Sequence, residues 1–190
     1  MRVLISGFEP FGGDNINSSW EVASRIGMQP SEGVELVVKQ LPVSFSRVGK
    51  VVEELLDEFS PDIMIMLGQM GNSNSIRVER VAINLMDSMK GDNDGYVPDE
   101  ESIEMDGAPA YFTSLPVKQF RDALLENGIQ AAVSNSAGLY VCNRTYYAAL
   151  HKISTSQMQT KALFVHLPRI SEEWSIGRLQ QAVELILAIL

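Results

Sequence analysis

The stretch SNSAGLYVCNRTYYAAL, residues 134–150, carries the only cysteine of the chain, Cys142, where an apolar run turns into an amphipathic one. Cys142 falls in the first turn of the helix that this pattern predicts, where unpaired backbone N–H groups and the helix dipole favour thiolate over thiol. That is the setting of a nucleophile. Free cysteine is also among the most buried residue types, so inert packing is the competing account. A nucleophilic thiol needs a base, and the chain has two histidines. His166, in FVHLP at the end of an apolar run, is the better base, its competing account being a satisfied core histidine. His151 lies late in a helix beside Lys152 and reads as an exposed helix-end residue. The base in turn needs a carboxylate or amide to hold its tautomer and stabilise the imidazolium. Glu79, inside the apolar pattern IRVERVAIN, is such a group at a place where an unpaired carboxylate costs several kcal/mol. By alternation it shares a face with Arg77 and Val81, and an ion pair with Arg77 or Arg80 is the other account of it.

Other chemistries fail on spacing. A phosphatase-type C-x5-R needs arginine where Ala148 stands, and a nucleophile elbow needs glycines where Tyr140 and Arg144 stand. GFEPFGG after the first apolar run is not G-x-G-x-x-G, and Pro10 and two phenylalanines do not make a phosphate cradle.

The elements that must position these residues alternate along the chain. RVLISG reads as a buried strand, and NSSWEVASRIG as a helix with Asn17 or Ser18 as N-cap and Gly27 as its stop. VELVVKQLPV is a second strand. Ser46 is read as the cap of RVGKVVEELLDEF, whose apolar residues recur with helical spacing. IMIMLG is apolar throughout, as in a strand covered on both faces. IRVERVAINL follows as one strand, then a Gly- and Asp-rich loop from Lys90 to Gly107, then a short strand at AYFTSL. PVKQFRDALLENG is a helix starting at proline and stopping at Gly128. IQAAVSN and KALFVHL are buried strands separated by the helix NRTYYAALHKIS, and a last helix is read over EEWSIGRLQQAVELILAIL. Strands alternating with helices predict a single-domain, three-layer α/β/α fold with a mostly parallel twisted sheet. In such sheets ligands bind beyond the carboxyl ends of the strands, where Cys142 and His166 both fall.

Composition narrows the partners. The 190 residues are 45% hydrophobic and 21% charged, as in one self-sufficient globular core. A net charge of −9, with no clustered lysine and arginine, argues against nucleic acid. The N-terminus has no long apolar core or small-residue cleavage pattern, and no run reaches the length of a membrane span. A lone thiol suits a reducing compartment. The expectation is a cytoplasmic protein with no membrane partner. No Cys/His cluster suggests a metal, and no cofactor is expected.

Four blocks in register then carry a likeness: GFEPFGG, GQ at 68–69 with ERVAIN at 79–84, SAGLYVCN at 136–143, and FVHLP at 164–168. Together they resemble the pyroglutamyl-peptidase I, or pyrrolidone-carboxylate peptidase, family from residue 1 to about residue 170. The resemblance implies a cysteine exopeptidase that removes an N-terminal pyroglutamyl residue from peptides, working as a homotetramer. It implies Cys142 as nucleophile, His166 as base and Glu79 as orienting acid. It places Phe8 and Phe11 around the lactam ring, and Gly68, Gln69, Tyr140 and Val141 near the substrate. The family usually has an arginine shortly after its GQ, near Ser73 here, and another where Met89 stands, and it is usually longer. A slow or inactive homologue that binds a pyroglutamyl or lactam ligand is the alternative expectation.

Overall fold

The strand β3 (Ile63–Gln69) is apolar almost throughout and buried at every residue, because helices cover both faces of the sheet around it. The computed structural model describes residues 1–28 and 33–190. Six strands form the main sheet in the order β2 (Glu35–Leu41), β1 (Arg2–Phe8), β3, β8 (Lys161–Leu167), β4 (Ile76–Glu79) and β7 (Ala131–Ser134). All neighbours are parallel except β4 and β8, which run antiparallel. One face packs on α1 (Ser18–Gly27), α3 (Val117–Glu126) and α5 (Ile176–Leu187), the other on α2 (Phe45–Phe59) and α4 (Val141–Thr155). The expected three-layer α/β/α domain is therefore observed. No helix among the described residues is long and apolar enough to cross a membrane.

Alternation along each strand assigns its side chains to one layer or the other. Val3, Ile5, Ile65, Leu67, Leu163 and Val165 join the α1/α3/α5 core, whereas Leu4, Met64, Met66 and Phe164 join the α2/α4 core. Asn17 caps α1 by accepting the N–H of Ser19, as one of the two expected candidates.

Three boundaries differ from expectation. The cap of α2 is Ser44 rather than Ser46: Ser44 takes the extended backbone a cap requires and its Oγ accepts the N–H of Arg47 at 3.2 Å, which places Ser46 inside the first turn. The last helix begins at Ile176 under a Ser175 cap, leaving Glu172–Trp174 outside it. The run IRVERVAINL is two strands. Arg80 donates its N–H to Ser134 O and accepts from Thr113 N, and this change of partners sends Val81–Ile83, as β5, into a separate antiparallel ribbon with β6 (Ala110–Phe112). Val81 thus leaves the face that Glu79 and Arg77 share.

The first strand and first helix meet at closer range than a side chain permits. A Cβ at Gly7 would lie 2.5 Å from the carbonyl oxygen of Ser19 and 2.7 Å from the Cα of Trp20. That approach lets Ser19 Oγ accept the Phe8 N–H at 3.0 Å. Because the obstructing atoms are backbone, Gly7→Ala should cost about 1–3 kcal/mol and lower the melting temperature measured by circular dichroism; an unchanged melting temperature would contradict this contact.

Candidate active site

The carboxyl ends of β1, β3 and β8 lie side by side, and the N-terminus of α4 comes down on them. Gly68 is in register with His166 across the β3–β8 pair. Its missing side chain is what admits the cysteine: a Cβ there would be 3.1 Å from Cys142 Sγ and 2.8 Å from the Phe164 ring. Gly68 therefore lies beneath the sulphur, holding its place open.

On the other flank of β8, the antiparallel β4 brings Glu79 opposite Phe164, one diagonal step from His166. His166 Nδ1 donates to Glu79 Oε1 at 2.8 Å, which leaves Nε2 for Cys142. Glu79 is 0% and His166 3% exposed. The expected alternative, an ion pair of Glu79 with Arg77 or Arg80, is not formed: its Oε1 goes to His166 and its Oε2 has no partner among the described residues. Burial disfavours a charged imidazole, but the charge and hydrogen bond of Cys142, and then the hydrogen bond and charge of Glu79, outweigh it and push His166 up to about 9. Phe164 packs under the imidazole with ring centroids 4.8 Å apart, and the Tyr146 hydroxyl donates to Glu79 O at 3.2 Å.

Cys142 is partly exposed and lies in a narrow cleft lined by Phe8, Phe11, Asn17, Val43, Gln69, Tyr140 and Val141. Every residue expected near the substrate except Gly68 lines it. A wider apolar hollow near the start of β1, against Ile26, Leu36 and Leu187, has the carboxylate of Glu184 in its lining but no thiol or imidazole beside it.

Hydrogen bonds and aromatic contacts hold the cleft walls. Gln69 Oε1 accepts from Ser18 N at 2.9 Å and its Nε2 donates to Asp14 Oδ2 at 3.3 Å, so its side chain braces the first loop. Asn17 and Asn93 donate to the carbonyls of Glu9 and Pro10 in the same loop. Tyr140 packs edge-on against Phe45 with centroids 5.1 Å apart and lies 6.4 Å from the Phe11 ring centroid. Burial, the charge of Asp92 and that of Cys142 push the Tyr140 hydroxyl above its ordinary range, so it stays a donor, to Gly91 O at 2.9 Å.

Several of these residues escaped the sequence analysis. Asn143, directly after the cysteine, is buried; its Nδ2 donates to the carbonyls of Ile83 and Leu85 and its Oδ1 accepts from Ile83 N, so β5 is bound to the first turn of α4. A polar residue followed by a predominantly apolar helical stretch was the available signal. Asn17 was seen only as a cap. His151 is not the exposed helix end expected, since the aromatic residues across from it use it: its Nδ1 is 3.0 Å from the Tyr111 hydroxyl and its ring stacks on Tyr147. Of the two positions where the resembling family carries arginine, Met89 is fully exposed and Ser73 Oγ donates within its own turn to Ser75 O.

Known proteins repeat this arrangement of chain. A family model described as pyroglutamyl peptidase matches residues 1–184. The pyrrolidone-carboxylate peptidase of Thermococcus onnurineus is 52% identical over 91% of this chain and 86% of its own length. That of Bacillus cytotoxicus is 39% identical over 96% of this chain and 85% of its own. Among solved structures, the pyrrolidone carboxyl peptidase of Fervidobacterium islandicum superposes with a TM-score of 0.93 at 38% identity, covering 98% of this chain and 96% of that one. Pyroglutamyl peptidase I of Bacillus amyloliquefaciens gives 0.91 at 35%, covering 97% and 93%. The match spans nearly all of the chain in sequence and in fold, and the chain accordingly belongs to the pyroglutamyl peptidase family of cysteine peptidases.

Proposed function

We propose that the chain hydrolyses the bond that follows an N-terminal pyroglutamyl residue, releasing free pyroglutamate, with Cys142 as nucleophile, His166 as acid and base, and Glu79 as the carboxylate that orients it. The observation that carries this reading is the line from Glu79 through His166 to Cys142 at the floor of an apolar cleft. A pyroglutamyl group has no free α-amine and no charge, so it suits walls such as Phe8, Phe11, Tyr140 and Val141, with amide-bearing Gln69 beside them. Gly68 acts from beneath the sulphur rather than from the wall.

In this mechanism the Cys142 thiolate adds to the pyroglutamyl carbonyl carbon. Tyr140 gives α4 no side-chain cap, so first-turn N–H groups are available to the developing oxyanion. The C–N bond then breaks as the imidazolium gives its proton to the leaving amine. Water, deprotonated by the neutral imidazole, adds to the thioester; collapse releases pyroglutamate and restores the thiolate and imidazolium. Neither step calls for a metal or cofactor. The alternative of a slow binding protein rested on Ser73 and Met89, and the fully exposed Met89 gives it no support. The reading extends, through the family resemblance, to a cytoplasmic homotetramer; exposed apolar side chains such as Met105 and Phe112 are in keeping with self-association.

Purified protein should release the fluorophore from pyroglutamyl-aminomethylcoumarin, and Cys142→Ser and Cys142→Ala should lose that activity while keeping the wild-type circular dichroism spectrum. Turnover retained by either variant would remove Cys142 from the mechanism.

The imidazole is protonated below about 9 and neutral above it, and acylation needs the proton. Hence kcat/KM should fall as pH rises through that value, an apparent constant that belongs to the Cys142–His166 pair. Glu79 raises it, so Glu79→Gln should shift the alkaline limb to lower pH and reduce kcat by orders of magnitude. A limb that stays in place would separate Glu79 from the base.

Selectivity follows from the apolar walls. Glutaminyl and prolyl coumarin amides bring a charged nitrogen that the cleft would desolvate, a penalty of several kcal/mol or roughly a thousandfold in kcat/KM. Phe11→Ala should weaken the pyroglutamyl substrate by about 1–3 kcal/mol without making the charged ones good. Comparable wild-type kcat/KM across the three substrates would refute both the cleft assignment and the activity.

A further inference from the structure

Beside His166 the sheet carries a cation that the mechanism leaves idle. In the antiparallel β4–β8 pair Arg77 stands directly opposite His166, and residues so paired point to the same face with Cβ atoms about 4.5–5.5 Å apart. Arg77 therefore flanks the imidazole on the side away from Cys142, whose sulphur lies over Gly68 on the opposite neighbour of β8. Its strand neighbours Ile76 and Val78 turn the other way, into the core with α3. Ala132, its partner on the edge strand β7, is small and partly exposed. Arg77 is itself only partly buried, its Nε has no hydrogen-bond partner among the described residues, and Glu79, the carboxylate on the same strand face, is held by His166 instead.

This arginine, with no anion partner among the described residues of a protein of net charge −9, stands beyond the imidazole from Cys142 and the apolar cleft, in the direction the leaving peptide would take once Nε2 has given up its proton. Two strand spacings, about 10 Å, separate Gly68 from Arg77. One extended residue, about 3.6 Å, and the arm of the arginine close that gap. Guanidinium matches carboxylate in shape as well as charge. Resting on the peptidase reading above, we infer that Arg77 is a specificity residue of the leaving-group side, binding a carboxylate carried by the residue after the pyroglutamyl group. The carboxylate is either an acidic side chain or, in a dipeptide, the chain terminus. Substrates so marked are cleaved in preference to neutral ones.

The test compares pyroglutamyl-alanine as free acid, pyroglutamyl-alanine amide and pyroglutamyl-aspartic acid amide, with released pyroglutamate measured by chromatography. Wild type should favour at least one of the two acids over the neutral amide by about tenfold in kcat/KM, as one charge-assisted contact provides. Which acid is favoured tells terminus from side chain. The preference should shrink in 1 M KCl, fall to about one in Arg77→Ala, and survive in part in Arg77→Lys; because it is a ratio within each protein, a general loss of activity does not affect it. Equal wild-type rates on all three, or a preference that persists undiminished in Arg77→Ala, would overturn the inference. Should a variant fail to fold, the wild-type ratio and its salt dependence decide the matter. Pyroglutamyl-aminomethylcoumarin carries no carboxylate, so wild-type failure on it counts against the peptidase reading instead.

Discussion

A carboxylate and an imidazole 2.8 Å apart, both almost sealed from water, impose their needs on everything around them. One Glu79 oxygen has no partner among the described residues, so the buried charge is tolerable only while the ring beside it can carry the opposite one. The sulphur on the far side of that ring has the same effect on it, and Phe164 and Tyr146 shield the group from beneath. This ordering, with Glu79 on β4, His166 on β8 and the Cys142 sulphur above Gly68 of β3, explains the one antiparallel pairing in the sheet, that of β4 with β8. A strand lying along β8 in the reverse sense carries Glu79 into the interior as it advances, while its beginning, with Arg77, stays at the open edge.

The residue types that could do chemistry were legible because each stood where ordinary folding logic would not put it: an acid in an apolar strand, a histidine at a strand end, a thiol in a first helical turn. Apolar strands and helical spacing made the layered fold legible too. What escaped depended on pairing. IRVERVAINL alternates up to Glu79 and then runs apolar through Val81–Ile83, as a single strand covered on both faces also can, so it is the partners on other strands that reveal the division. Ser44 and Ser46 both precede the same periodic pattern, and the backbone angle that distinguishes a cap is not written in either letter. The place of Arg77 beside His166, and of Gly68 beneath the sulphur, comes from registers between distant segments, which no local pattern encodes.

Loops build the cleft, yet they are held almost as firmly as the strands. Asp14 is bridged to Arg169 and to Gln69, tying the loop after β1 to the segment that follows β8 and to the end of β3. Glu9 accepts from Val43 N and from Asn93, and Asp92 accepts the first N–H of α2. Each loop that offers a wall to the cleft is thereby fastened to a neighbour, which limits the conformational freedom that binding must remove.

The change of sheets at Arg80, joined to the clamp that Asn143 places on β5, has a consequence for descent. From Glu79 to Leu85 the chain is attached at one end, through Glu79, to the imidazole and at the other, through Asn143, to the turn that bears the thiol. An insertion or deletion within that span would shift Glu79 and Cys142 relative to each other, whereas the long excursion between Met86 and Glu101 is closed at its base by paired backbone bonds. That short span must accordingly keep a constant length and change by substitution, and the excursion can change in length only outside residues 91–94, whose bonds to Tyr140, Phe45, Pro10 and Arg47 hold the cleft loops.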